Sequence, residues 1–366
     1  MTQDSGPLES HSTDAPRLVV TGPGDLYAAV PALLGFYPER SLVLLGLGGR
    51  GEVVAVGRHD LLCGSERRAS MRESVERFAV PFRDRNLAAA AALVVDDEAE
   101  AHAADHDAVA SLFLGVMASA GAQWAVAYAT TEIRAGARWW CLSGQEPPGT
   151  VGDPRASAVT VARVLAGRPI QRSRGELRDL VAGSPRERLE VAALIDAAQH
   201  SADLEFSLGL PRDQGGGYRR RKVALLLRQI DCLAAGEQLL PVELAELGIA
   251  LQDTRIRDTM LALAVGEVAD AAERMWLLLT RALPAPERAD AAVLLGFHAY
   301  LRGEGALARV ALDVALDADP EHRLAALISA SVDRGLHPGE LAVLADTGRR
   351  VGMELGASLP PAPRPV

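Results

Sequence analysis

His102 and His106 stand four residues apart on a predicted helix, and two imidazoles one helical turn apart can share a divalent metal. The segment lacks the H-E-x-x-H arrangement of zinc proteases, and the sequence alone identifies no third ligand. Acidic neighbours, Asp105 and Asp107 among them, also suit the solvated start of a helix, where negative charge complements the helix dipole. We therefore predict no metal site and no cofactor.

Polar residues also follow two predicted strands. Arg58 and Asp60 leave one strand, and Asp96 and Asp97 leave another. Ligand sites in α/β sheets gather at strand ends, so these four residues are candidates for binding an anionic or amide ligand. An ion pair that ties a loop to the sheet would explain the same residue types.

A third feature is a run of four basic residues, Arg219, Arg220, Arg221 and Lys222, which follows three glycines at a predicted helix start. Such a run could present cations to phosphate, or it could form a solvated first helical turn. The net charge of −10 disfavours nucleic acid and anionic membranes as general partners, because such binding rests on neutralising phosphate.

Gly46, Gly48 and Gly51 reproduce the G-x-G-x-x-G spacing of dinucleotide-binding turns. That chemistry requires a helix after the third glycine, since the amides at the helix start hold the pyrophosphate. Here the chain continues as Glu-Val-Val-Ala-Val, which alternates like a strand. The glycines therefore predict a β-hairpin turn, and Glu52 would repel phosphate.

Other catalytic classes are excluded by residues that the chain lacks. Lys222 is the sole lysine, whereas P-loops, protein kinases and Schiff-base enzymes each need a lysine in a defined motif. No G-x-S-x-G elbow is present, and no catalytic residue can be assigned. The cysteines, Cys63, Cys141 and Cys232, form neither a disulfide framework nor a zinc pattern.

These residues must be positioned by a chain of 366 residues, which suits two domains of ordinary size. We predict a disordered tail at 1–16, an α/β domain at 17–168, a helical domain at 169–356 and a disordered proline-rich tail at 357–366. The polar N-terminus lacks the features of a signal peptide, and no apolar run is long enough to span a bilayer. With its few cysteines, the protein is expected in the cytoplasm.

In the predicted α/β domain, β-rich runs alternate with helical patterns. Strands are expected around 17–21, 41–47, 52–61, 89–97, 122–133 and 137–142, and helices at 25–34, 65–78, 99–120 and 156–166. Two of the connections, at 48–51 and 135–136, are typical of hairpins. This order predicts a mixed sheet with β-hairpins covered by helices.

From about residue 168 the pattern is helical throughout. Ser173 and Glu176 form a capping box, and helices are then expected at 186–202, 218–235, 241–252, 254–265, 267–282, 287–302, 304–317 and 321–334. The later segments contain one pair of helices spaced like a tetratricopeptide (TPR) repeat. Its positions are Ala292, Leu295, Gly296, Ala299, Ala308, Leu312 and Pro320. The C-terminal half is thus predicted to be all-α with a TPR-like hairpin near its end.

Several of these segments also resemble a known family. The matching pieces are DLYAAVPALLGFYPERSLVLLGL (25–47), Arg58 with Asp60 and Leu61, RWWCLSG, SRGEL, IRDTML and LRGEGALARVALDVALDADPEHRLA (301–325). They closely resemble an actinobacterial family known as domain of unknown function 4192, over most of residues 18–345. The resemblance implies an α/β half followed by a helical half, and it implies no activity.

The absence of catalytic motifs and the TPR-like pair predict a non-enzymatic binding or regulatory protein. Its α/β domain would sense a ligand, and its helical domain would contact a protein partner. The alternative is an enzyme, a hydrolase or transferase, working at the sheet edge near Arg58, Asp60 and Asp96. A second alternative is nucleic-acid binding through residues 219–222. The sequence specifies neither the partner nor the oligomeric state.

Overall fold

A computed structural model describes residues 22–49, 51–61, 65–85, 87, 89–144, 146–334 and 336–361. Side chains at 65–68, 81, 83–85 and 210–213 lie outside this description. The predicted N-terminal tail, the strand predicted at 17–21, Cys63 and the last five residues lie outside the described residues. The chain divides into two compact units: an α/β unit, up to Leu33 and from Pro38 to Ile170, and a helical unit, Leu34–Tyr37 and from Gln171 onward.

The α/β unit is built around a mixed sheet. Its elements are α1 (Pro23–Leu34), β1 (Ser41–Leu47), β2 (Val53–Asp60), α2 (Ser65–Arg85), β3 (Ala89–Val95), α3 (Ala103–Ser119), β4 (Trp124–Thr130), β5 (Arg138–Cys141), β6 (Gly149–Thr150) and α4 (Ala158–Leu165). The strand order is β2-β1-β3-β4-β5-β6. Only β3 and β4 pair in parallel among these strands, and the other neighbours are antiparallel. The predicted mixed sheet is confirmed, with β6 as an addition.

The sheet is buried because its central strands are apolar on both faces. Every residue of β1 is buried, and β3 is buried after its first residue. One face packs against α2 and α3, through a core that includes Leu42, Leu44, Val75, Val94, Phe113 and Met117. Tyr27 of α1 is also fully buried, and its hydroxyl donates to the carbonyl oxygen of Val94 at 3.2 Å. The carboxyl end of β3 is therefore held by helices.

The glycine-rich segment between β1 and β2 forms the hairpin that the sequence predicts. The amide of Gly48 donates to the carbonyl of Glu52 at 2.9 Å, and the amide of Gly51 donates to the carbonyl of Gly48 at 3.0 Å. Gly51 has φ of +79°, a conformation that favours glycine. Because a strand follows Gly51, no helix terminus is present there to hold a pyrophosphate.

The second unit is helical. It comprises α5 (Arg174–Ala182), α6 (Pro185–Asp213), α7 (Gly216–Ala234), α8 (Pro241–Leu251), α9 (Thr254–Met260), a 3-10 helix (Leu261–Ala264), α10 (Ala269–Ala282), α11 (Arg288–Leu301), α12 (Gly305–Ala318), α13 (Arg323–Asp333), α14 (Pro338–Leu341) and α15 (Val343–Leu355). The predicted cap at its start is present, since Ser173 Oγ accepts from the amide of Glu176 at 3.2 Å. The all-α prediction is confirmed for the described part of this unit, where the sole β feature is an isolated bridge between Phe36 and Gln171.

The predicted pair of helices corresponds to α11 and α12, which pack closely. A Cβ added at Gly296 would lie 2.9 Å from Leu312 Cγ, so the absence of a side chain permits this approach. The classification of the pair as TPR-like stays a prediction. Within the described part of the chain, the helices include none that is long and apolar enough to cross a membrane.

Candidate functional site

Asp96, His102 and His106 come together where β3 ends. Asp96 directly follows β3, and its amide donates to the carbonyl of Thr130 at the end of β4, at 3.0 Å. His102 immediately precedes α3, and His106 lies in the first turns of that helix. A turn at 97–102 reverses the chain, so that the start of α3 returns to the carboxyl end of β3.

The contacts within this cluster are short. Asp96 Oδ2 lies 2.7 Å from His102 Nδ1 and 2.9 Å from His106 Nε2. The other carboxylate oxygen, Oδ1, accepts from the amide of Glu98 at 3.2 Å. Side-chain exposure is 2% for both Asp96 and His106 but 18% for His102, so the last residue connects the cluster to solvent. His106 Nδ1 is buried and has no hydrogen-bond partner among the described residues.

Electrostatics keep the Asp96 carboxyl ionised. Burial by itself raises the pKa of this group, but hydrogen bonds from His102, His106 and the Glu98 amide outweigh burial and hold the pKa below its usual value. Two imidazoles and a carboxylate are ligands that a divalent transition metal can use. One ligand atom from each residue can be chosen so that all three lie within 4.8 Å of one another.

The rim of the cluster carries a further ion pair. Glu98 Oε2 accepts from Arg40 Nη1 at 3.1 Å and lies 3.7 Å from His102 Nε2. The side chains of Arg40 and Glu98 are about half exposed. The exposed side of the cluster is thus lined by charged groups that are already paired with one another.

The sequence identified the three members of the cluster separately and did not join them. The two histidines were recognised by their helical spacing, whereas Asp96 was assigned to a set of strand-end candidates. The missing signal is the turn at 97–102, which brings residue 96 beside residue 106. The prediction of no metal site was made because the sequence identified no third ligand. The structure places a third potential ligand, Asp96, next to the two imidazoles.

Arg58 and Asp60 lie near the same end of the sheet as Asp96, because Ser41 of β1 is opposite both Asp60 and Val95, but β1 separates their strand from β3. They form an ion pair with each other, and Arg58 Nε donates to Ser41 Oγ at 3.0 Å. His59, between them, contacts Ser70 of α2. Because side chains alternate along a strand, Arg58 and Asp60 face away from α2. The structure therefore contains the ion pair, and ligand binding by these residues stays a prediction.

Asp97, the fourth strand-end candidate, is exposed beyond β3. It is not a member of the set of potential ligands formed by its neighbour Asp96. A role for Asp97 in ligand binding stays a prediction.

The four basic residues at 219–222 contact groups of the helical unit itself. Arg219 Nε lies 2.7 Å from an Asp253 oxygen, and Arg220 Nη1 donates to the carbonyl of Leu355 at 3.4 Å. The remaining contacts are from Arg221 to Glu205 at 3.8 Å, and from Lys222 to Glu205 and Glu246 at 3.2 and 2.7 Å. The sequence suggested that these four side chains could bind phosphate. The neighbouring carboxylates offset much of their positive charge.

A comparison with protein families assigns the chain. Residues 23–339 match a family described as Domain of unknown function (DUF4192). The chain belongs to this family. Searches among curated proteins and solved structures gave no match.

The resemblance found in the sequence is confirmed, while an actinobacterial origin stays a prediction. The DUF4192 match begins at the start of α1 and ends within α14. The matched range includes the Asp96 cluster and most of the helical unit.

This DUF4192 chain also carries a mostly apolar helix surface that could not be predicted from the sequence. On α6, exposed residues follow one another at intervals of four, four, three, four and four. They are Leu189, Ala193, Ala197, His200, Leu204 and Leu208. We call this set the α6 stripe. Its three leucines are 73%, 62% and 70% exposed.

Proposed function

We propose that this DUF4192 protein is a binding or regulatory protein, and that its helical unit binds a protein partner through the α6 stripe. The observation that carries the proposal is the row of exposed leucines, because residues at this spacing share one face of a helix. Single exposed apolar residues are ordinary on protein surfaces, whereas a continuous row is typical of a binding site.

The dimensions of the stripe suit a helical partner. From residue 189 to residue 208 it extends over roughly 28 Å of helix, at the usual rise per residue. A second helix could place its own apolar residues against the stripe along that whole length. Ala193 and Ala197 would allow the two helix axes to approach closely.

The charges beside the stripe indicate what kind of helix would fit. Two exposed acidic residues, Asp196 and Asp203, flank it on one side, whereas Glu190 on the other side is paired with Arg186 at 3.1 Å. We therefore expect a partner segment that is an amphipathic helix with lysine or arginine beside its apolar face, since opposite charges across an interface favour the encounter. A second copy of this chain fits less well, because its own acidic flank would face that of the first.

The enzymatic alternative receives less support from the same structure. A hydrolase or transferase would need Arg58, Asp60 and Asp96 to face one substrate. Arg58 and Asp60 lie on the side of the sheet away from α2, whereas Asp96 contacts the start of α3. The paired cations at 219–222 likewise give no additional support to nucleic-acid binding.

The proposal can be tested with a charge placed in the stripe. The double variant Leu204→Glu, Leu208→Glu puts two carboxylates into the C-terminal part of the proposed interface without changing a buried residue. The matched control, Leu327→Glu with Val343→Glu, alters two residues of the same unit that are 56% and 59% exposed but lie outside the stripe. Proteins that co-purify from the native host with each tagged form are then quantified by mass spectrometry.

We expect one partner to be retained by the wild type and by the control, and lost at least about tenfold from the stripe variant, since hot-spot apolar residues each contribute more than about 1 kcal/mol. Circular dichroism should show that all three forms are folded. Equal retention by all forms, or no partner on the wild type, would contradict the proposal. Light scattering that showed a dimer dependent on Leu204 and Leu208 would replace it with self-association.

A further inference from the structure

We propose that Asp96, His102 and His106 form a binding site for a divalent transition metal, with zinc as the ion that fits best. The site lies in the α/β unit and does not depend on the partner proposed for α6. It would be held by one carboxylate oxygen and two imidazole nitrogens, a ligand set used by zinc and related ions.

The distances suit an ion of this class. Zinc binds imidazole nitrogen and carboxylate oxygen at about 2.0–2.2 Å, which places tetrahedral ligand atoms about 3.3 Å apart. Asp96 Oδ2 is already 2.7 and 2.9 Å from the two ring nitrogens. Each of these two distances would need to lengthen by less than about 1 Å to admit the ion, and each neutral ring would then carry its proton on the nitrogen that does not bind the metal.

The surroundings hold the ligands in place. The Glu98 amide binds Asp96 Oδ1, which fixes the carboxylate and leaves Oδ2 directed at both rings. Hydrogen bonds of this kind orient the ligands in metal sites. His106 and Asp96 are carried by α3 and the end of β3, which belong to the buried core, so both are anchored on rigid elements.

Access to solvent favours a metal over a cluster held only by hydrogen bonds. His102 is partly exposed, which gives an ion a path to the buried carboxylate. His106 Nδ1, which is buried without a partner among the described residues, would carry the ring proton when Nε2 binds the ion.

The ligand types also select among metals. Two nitrogen ligands disfavour magnesium and calcium, which prefer oxygen, and the described cluster contains no thiolate of the kind that selects copper(I). Three protein ligands leave a fourth tetrahedral position for a water molecule. The site would therefore bind zinc, cobalt or ferrous iron, and cobalt provides a visible signal for measurement.

The test uses the full-length protein without a histidine tag, stripped of metal by a chelator. Cobalt(II) is titrated into the wild type while its visible absorption is followed, and zinc is then added in competition. The variants are His102→Gln, which changes a partly exposed ligand, and Asp96→Asn, which removes the carboxylate charge. Asp97→Asn is the matched control. It also removes one carboxylate charge, but from the neighbouring residue, which is exposed.

We expect the wild type and Asp97→Asn to bind one equivalent of cobalt with an intense tetrahedral spectrum, displaced by one equivalent of zinc. Affinity should fall by about 100-fold or more in the two ligand variants, because loss even of an orienting neighbour costs about 10–100-fold. X-ray absorption of the zinc form should show two imidazole nitrogens.

Absence of cobalt and zinc binding by the folded wild type would overturn the proposal. Equal affinity in His102→Gln and in the wild type would do so as well, and circular dichroism of that variant excludes misfolding as the cause. If Asp96→Asn does not fold, the comparison between His102→Gln and Asp97→Asn still decides.

Discussion

His298 is fully buried in the helical unit, where its Nε2 accepts a hydrogen bond from Trp276 Nε1 at 3.0 Å. Burial is the main cause that lowers the pKa of this imidazole from 6.5 to about 3, and the positive charge of Arg302 acts in the same direction. The ring is therefore neutral in the folded protein at pH values where an unfolded histidine is already protonated.

The first prediction concerns acid stability. Between about pH 6.5 and pH 3 the unfolded state binds one more proton at His298 than the folded state, so the free energy of unfolding decreases as the pH falls. The contribution of this one residue is about 1.4 kcal/mol per pH unit in that window. We expect His298→Gln, whose side-chain oxygen can still accept from Trp276, to lose less stability than the wild type between pH 6.5 and pH 4.5.

Urea denaturation at the two pH values measures this difference. The variant will be less stable than the wild type at neutral pH, so the comparison rests on the change with pH. Parallel losses of stability in both proteins would contradict the account of His298.

Predictions about single residues were correct where the interaction joins residues that are close in sequence. Ser173 caps α5 as its spacing with Glu176 predicts, and Gly51 adopts the positive φ that its turn requires. Asp96 was found as a polar residue at a strand end, but its contact with His106 depends on how α3 packs on the sheet. Spacing alone does not contain that information.

At the scale of elements, most helices and strands could be predicted because their periodicity is strong. The errors lie at ends and at short pieces. The helix predicted at 186–202 is longer in the structure, where α6 continues to Asp213. The two-residue β6 is too short to have a pattern, and α14 and α15 lie beyond residue 334, where the last predicted helix ended.

The helix α15 leads to a second prediction. Gly348 lies against α9 and the 3-10 helix, where an added Cβ would be 2.4 Å from the carbonyl oxygen of Asp258 and 2.8 Å from the amide of Ala262. Backbone atoms cannot move aside cheaply, so we expect Gly348→Ala to lower the free energy of unfolding by about 1–3 kcal/mol.

Gly115→Ala is the matched control for this prediction. Gly115 is also within a helix, α3, and a Cβ there would meet nothing within 4 Å. Alanine should therefore raise the free energy of unfolding by about 0.5–1 kcal/mol through its helix propensity. Chemical denaturation measures the free energy of unfolding of both variants. Destabilisation of equal size in the two would contradict the packing described for α15.

At the scale of the whole molecule, the sequence correctly predicted a mixed α/β part followed by a helical part, and it identified the family. These properties follow from hydrophobic periodicity and from long matching segments. The α6 stripe was not predicted, because a sequence does not show which apolar residues of a helix stay uncovered when its neighbours pack. Leu204 and Leu208 have the residue type of a core position.

We therefore propose a different function for each of the two units. The α/β unit would hold a metal at the end of β3, and the helical unit would contact a partner through α6. The two tasks are separable by mutation, since His102→Gln should leave partner binding by the α6 stripe intact when that binding is measured at fixed metal concentration.

The most direct test of the partner claim is site-specific photo-cross-linking in the native host. A photoreactive residue is placed at Ala197, within the α6 stripe, and in a control at Leu327, which is exposed on α13. The account predicts cross-links from position 197 to a segment of another protein that forms an amphipathic helix with basic flanks, and loss of those cross-links when Leu204 is changed to Glu. Cross-links that are absent at 197, or equally abundant from 327, would contradict it.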